Sequence, residues 1–133
     1  MKFLVFDRAM MIRFMITKHI NRISDSEEII AAENVNSVIE HVKEYYFDVL
    51  ILDMDNLRGY FQLIKKIANE RNPGITIILT TNFPNKKINQ KFLKLGVEYC
   101  YDKVSDFEEF RQKIDDLIGT ADLPGDIAFS TAG

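Results

Sequence analysis

The run Phe47-Asp48-Val49-Leu50-Ile51-Leu52-Asp53 constrains the fold more than any other stretch of this chain. Its four consecutive apolar residues, with no polar alternation, specify a strand buried on both faces. A strand of that kind belongs in a parallel sheet covered by helices on each side. The acid that closes the run then sits at the strand's carboxyl end, where open α/β sheets hold their ligands.

The flanking sequence supplies the other layers. Phe3 to Phe6 is an apolar run of strand length closed by Asp7. A helix follows, with Ile12, Met15, Ile16, Ile20 and Ile23 at spacings of three and four. Glu28 to Ala32 forms a weaker second strand. Asn34 is placed to cap a helix that turns Val35, Val38, Ile39, Val42 and Tyr45 inward. After the central strand, a polar turn through Asp55 and Gly59 leads to a helix with Phe61, Ile64, Ile67 and Ala68 inward. Asn72-Pro73-Gly74 ends that helix. Ile75 to Leu79 is the fourth strand. Pro84 starts a fourth helix with Ile88, Phe92 and Leu95 inward, and Gly96 stops it. Val97 to Tyr101 is the fifth strand. Ser105 or Asp106 caps a last helix with Phe107, Phe110, Ile114, Leu117 and Ile118 inward. Strand and helix alternate five times, which predicts an α/β fold, a parallel sheet with helices on both faces and right-handed crossovers. Residues 1–118 form one domain. From Gly119 the small and polar residues read as a flexible tail or linker, 119–133.

Composition narrows the function classes. The net charge of -3 gives no basis for nucleic-acid binding by charge alone. One cysteine, Cys100, excludes an internal disulfide and a cysteine-based zinc cluster, and two histidines, His19 and His41, argue against a multi-histidine metal site. The opening Met1–Phe6 is too short for a signal peptide or a membrane span, so a cytoplasmic protein without membrane contact is expected.

Polar residues fall where the predicted strands end: Asp7 with Arg8, Asp53, Thr80 and Lys103. Parallel strands bring these ends to one edge. Two carboxylates, a hydroxyl and an ammonium gathered there suit phosphoryl chemistry. Asp53 could attack a phosphoryl group, Lys103 neutralise its oxygens and Thr80 donate a hydrogen bond to one of them.

In this order and spacing the chain resembles the receiver domain of two-component response regulators, the CheY-like family. The matching segments are Lys2-Phe3-Leu4-Val5-Phe6-Asp7, Asp48-Val49-Leu50-Ile51-Leu52-Asp53, Ile77-Ile78-Leu79-Thr80, and Gly96 through Lys103. The resemblance implies a flavodoxin-like (βα)5 fold, a doubly wound five-stranded parallel sheet in order 2-1-3-4-5. It further implies Asp53 as phosphoacceptor in Mg2+-dependent transfer from a histidine kinase or phosphotransfer protein, with Asp7 and Asp53 as metal ligands. Read-out to a downstream protein is implied on the face formed by the fourth helix, the fifth strand and the last helix. Such a protein acts by contact and is not an enzyme. A second copy of the chain is a further candidate partner.

Several positions depart from the family pattern. A second acid normally follows the first strand, and here Arg8 stands there. With Asp7 and Asp53 facing Arg8 and Lys103, the pocket's charge approaches zero and Mg2+ has little to gain. Arg8 either forks onto Asp53 or Asp7 in place of the metal, or turns to solvent. The loop from Asp53 to Gly59 is about two residues short of the family length and has no proline. Asp55 in it supplies a replacement carboxylate or is a solvated turn residue. Val104 replaces the proline after the lysine. Cys100 replaces the switch aromatic, while its neighbours Tyr99 and Tyr101 point to the opposite face of the strand. Asn82 lies two beyond Thr80, a position that tunes dephosphorylation in the family. Phe83 and Tyr101 are partner-contact aromatics or core cover. Two readings follow: a phosphoacceptor built from Asp53, Lys103 and Thr80, or a pseudo-receiver that never uses phosphate and works as an interaction module.

Overall fold

Strand β3 (Val49–Asp53) is buried along its whole length. It occupies the middle of the sheet in the computed structural model, which describes residues 1–82, 90, 94–97 and 99–122. Around it lie β1 (Lys2–Phe6), β2 (Glu28–Ala32), β4 (Thr76–Thr81) and β5 (Tyr99–Asp102), in the order β2-β1-β3-β4-β5. All four pairings are parallel, with Leu4 opposite Leu50, Leu52 opposite Leu79 and Asp53 opposite Thr80. The parallel sheet expected from the alternation, and the strand order implied by the resemblance, are the ones observed.

Side-chain alternation along the strands builds two cores. Phe3, Val5, Val49, Ile51 and Ile78 face one side, against Ile16 and Ile20 of α1 (Met10–Ile23) and Phe110, Ile114 and Ile118 of the last helix (Phe107–Asp122). Leu4, Phe6, Leu50, Leu52 and Leu79 face the other, against Val38 and Val42 of α2 (Val35–Glu44) and Phe61, Ile64 and Ala68 of α3 (Phe61–Arg71). Burying both faces of a strand forces apolar residues at every position, so β3 reads as a continuous run.

Several local expectations shift. Asn34 caps α2 as anticipated, its Oδ1 accepting the Ser37 N–H at 2.8 Å. In α1, Met15 and Ile23 are largely exposed, and with Met10, Met11 and Phe14 they leave an apolar stripe on the surface. Only the narrow strip through Ile16 and Ile20 reaches the sheet, because the last helix occupies one flank. Tyr45 lies just beyond α2 instead of on its buried face. The fourth strand runs on through Thr80 and Thr81, and the last helix continues past Gly119 to Asp122. The fourth predicted helix, with Ile88 and Phe92, lies outside the described residues, as do Phe83 and the tail from residue 123. No helix among the described residues is long and apolar enough to cross a membrane.

Candidate functional site

The carboxyl ends of β1, β3 and β5 bring Asp7, Asp53 and Lys103 together. The Lys103 ammonium lies 2.6 Å from Asp7 Oδ2 and 3.1 Å from Asp53 Oδ1, with all three side chains almost fully buried. Burial alone would lower the Lys103 pKa. Hydrogen bonds and charge from Asp7 and Asp53 outweigh it and hold the ammonium above the ordinary lysine value. The remaining carboxylate oxygens are also engaged. Asp7 Oδ1 accepts the Ala9 N–H at 2.8 Å. Asp53 Oδ2 accepts Asn56 Nδ2–H at 2.5 Å, and Asp53 Oδ1 also takes the Asp55 N–H at 3.3 Å.

That last bond makes Asp53 the cap of a single 3-10 turn, Met54–Asn56. Asp53 is thus both the acid of the site and the residue that folds the short loop. Shortening this loop brings Asn56 back over the acid within three residues.

Arg8 does not fork onto either acid. It is exposed, and its guanidinium donates to Asn56 Oδ1 at 3.4 Å. Of the two placements open in the sequence, the outward one holds. Lys103 already neutralises both carboxylates and fills the space between them. Arg8 therefore reaches Asp53 only through the Asn56 amide. Asp55 is neither a third pocket acid nor a loosely solvated turn residue. Its two oxygens accept Thr81 Oγ1–H at 2.6 Å and the Asn82 N–H at 2.8 Å, tying the turn to the end of β4.

Thr80 departs from expectation. It is opposite Asp53 in register, yet its hydroxyl is buried without a hydrogen-bond partner among the described residues. It borders a small cavity with Ile12, Ile16, Tyr101, Asp102, Lys103, Phe107 and Phe110. Strand alternation explains the placement. Thr80 shares the face of Ile78, toward α1 and the last helix, whereas Thr81 shares the face of Leu79. The hydroxyl that reaches the turn after Asp53 is that of Thr81. Counting the period of two onward from Ile77 and Leu79 would have flagged Thr81. Asn56 was signalled only by its position three residues past a capping acid.

The fifth strand behaves as its alternation predicts. Cys100 packs against the core that holds α2 and α3, while Tyr99 and Tyr101 face the opposite one. Tyr101 packs on Phe110 at 5.8 Å between ring centroids and so covers the core. Burial, then the nearby Asp106 and Asp55 charges, push the Cys100 thiol up to about 11. After Lys103, the loop is organised by Asp102, whose Oδ1 accepts the Val104 and Ser105 N–H groups at 2.8 and 2.7 Å. Those bonds hold its carboxyl below the ordinary value. Val104 is exposed, and there is no cis peptide bond among the described residues. His19 pairs with Asp115 at 2.7 Å, joining α1 to the last helix.

Asp7, Arg8, Ala9, Asp53, Asp55, Asn56, Asn82 and Lys103 line one open cleft of about 340 Å³. The site thus pairs an acid at the end of central strand β3 with a lysine just after β5. The sequence matches the family described as "Response regulator receiver domain" over residues 3–115. Among solved structures, it is similar to the signal receiver domain of a DNA binding response regulator protein from Colwellia psychrerythraea 34H. That likeness has 20% identity and a TM-score of 0.70, over 89% of this chain and 98% of that one. It is similar also to chemotaxis protein CheY4 of Vibrio cholerae, at 16% identity and a TM-score of 0.70, over 86% and 96% of the two chains. A third likeness is to a response regulator protein from Burkholderia pseudomallei with a phosphorylated aspartic acid and a calcium ion. There identity is 14% and the TM-score 0.68, over 92% and 75%. The family match spans most of the chain and the strand order agrees with it, so this chain belongs to the response regulator receiver domains of two-component systems.

Proposed function

We propose that this receiver signals by protein–protein contact with Asp53 held as a neutralised anion, independent of phosphoryl transfer. One observation carries the reading: the Lys103 ammonium bridges Asp7 and Asp53 while Asn56 occupies the other Asp53 oxygen. Each carboxylate oxygen of the two acids already faces an N–H donor or the Lys103 ammonium. Mg2+ demands near-octahedral oxygen coordination. Two engaged carboxylates with an ammonium between them do not fit it, and the described residues hold no group of three metal-ligating side chains. The Asp53 side chain is also fully buried. In this reading the chain is not an enzyme. The interaction module is the packed part of the chain, which runs through the last helix to Asp122.

A second reading keeps Asp53 as phosphoacceptor for a histidine kinase or phosphotransfer protein. Asp53 and Lys103 lining one open cleft favours it. Incubation with acetyl phosphate and Mg2+, followed by intact mass, separates the two. The first expects an unchanged mass and no saturable Mg2+ response by NMR. A phosphoryl adduct that disappears in Asp53→Asn would establish the second. Arg8→Asp should introduce a Mg2+ response that the parent chain lacks.

A further inference from the structure

Beside the Asp53 cleft, and sharing Arg8 and Asn56 with it, lies a second groove of about 220 Å³. Its walls are Phe6, Arg8, Asn34, Val35, Asn36, Asn56 and Arg58. Two guanidiniums and three amides meet there with no acid among them, although the chain as a whole is acidic.

We propose that this groove is an anion site for a compact phosphate group, free or as a small monoester. The Arg58 guanidinium makes no hydrogen bond or ion pair with any described residue, and the Arg8 guanidinium makes only the 3.4 Å contact to Asn56 among them. Two donor forks are therefore left open on one groove, and the guanidinium fork matches an oxyanion edge. A doubly charged phosphate matches two arginines better than a single carboxylate does. The groove is smaller than the roughly 300–1,000 Å³ of sites for drug-sized ligands, which favours a compact oxyanion.

The backbone gives an independent sign. Arg58 sits at φ 53°, the only non-glycine among the described residues with positive φ. Glycine or asparagine would adopt that conformation more cheaply. An arginine held there in a short loop, with its side chain on the groove, is the sort of strain that collects at ligand sites. The site is separate from Asp53 chemistry, since Asp53 does not line the groove.

An NMR titration with inorganic phosphate and with methyl phosphate, at fixed ionic strength, tests the proposal. Saturable shifts are expected at the Asn36, Asn56 and Arg58 amides. Arg8→Gln and Arg58→Gln should each weaken binding about tenfold or more, the loss of one charge-assisted hydrogen bond. Lys66→Gln, on the exposed face of α3, should leave it unchanged. Stronger binding of the monoester than of phosphate identifies an esterified ligand, and equal binding a free phosphate; either supports the site. Shifts that grow linearly without saturation, or that survive both arginine variants, would overturn it. So would loss of binding in Asp53→Asn, which would place the phosphate in the neighbouring cleft.

Discussion

Lys103 is the residue on which the site depends, because among the described residues it is the only cation in contact with its two buried acids. Removing one partner of a buried ionic cluster typically costs about 3–5 kcal/mol, since it leaves charge uncompensated. Lys103→Met should lower stability by about that amount in urea unfolding, and adding Asp53→Asn should recover part of it. The pH dependence has a definite sign. A lysine whose folded pKa is raised contributes its full stability below the ordinary value of 10.5, and that contribution fades as pH rises through the folded value. The stability gap between the parent chain and Lys103→Met should therefore narrow above about pH 10.5. Cys100 behaves in the opposite sense to a reactive thiol. With its pKa pushed up to about 11, alkylation by iodoacetamide at pH 8 should run well below the rate of free cysteine. Fast labelling there would show that β5 opens.

Elements carry a different set of tests. Asn34 satisfies one of the first N–H groups of α2, so Asn34→Ala should cost about 1 kcal/mol, read as a shift in the urea midpoint. Two glycines adopt left-handed backbone, Gly59 at φ 80° and Gly96 at φ 88°. A Cβ at Gly59 meets nothing within 4 Å, whereas at Gly96 it would lie 2.6 Å from Lys65 Nζ. That ammonium donates to the Leu95 carbonyl, which ties α3 to the segment before β5. Both alanine variants pay the conformational penalty of about 1–2 kcal/mol. Gly96→Ala should be the worse by thermal unfolding, because it also displaces Lys65. The cap of α2 and the stop of α3 were legible in sequence, since Asn34 and Asn72-Pro73-Gly74 act within a turn of their own position. The boundary at Gly119 was not. One glycine costs a helix only about 1 kcal/mol, less than the packing of Ile114 and Ile118 on the sheet contributes.

At the scale of the molecule, β3 is held from both sides, and Ile51 is fully buried against α1 and the last helix. Ile51→Ala should cost about 2–5 kcal/mol in urea unfolding. The sequence by itself determined the fold. A four-residue apolar run, amphipathic helices at regular intervals and acids at the strand ends admit one doubly wound parallel sheet. It determined also that Asp7, Asp53 and Lys103 share an edge, because parallel strands put all their carboxyl ends on one side. Only the tertiary structure decided which groups the site uses. Whether Thr80 or Thr81 faces the turn depends on strand register, and a shift of one residue exchanges faces. Whether Arg8 or Lys103 neutralises Asp53 depends on which side chain fills the space between two carboxylates, and that is a matter of three dimensions. Asn56 over Asp53, and Arg8 beside Arg58, arise from how a shortened loop folds back, since contacts between separate loops leave no period in the sequence.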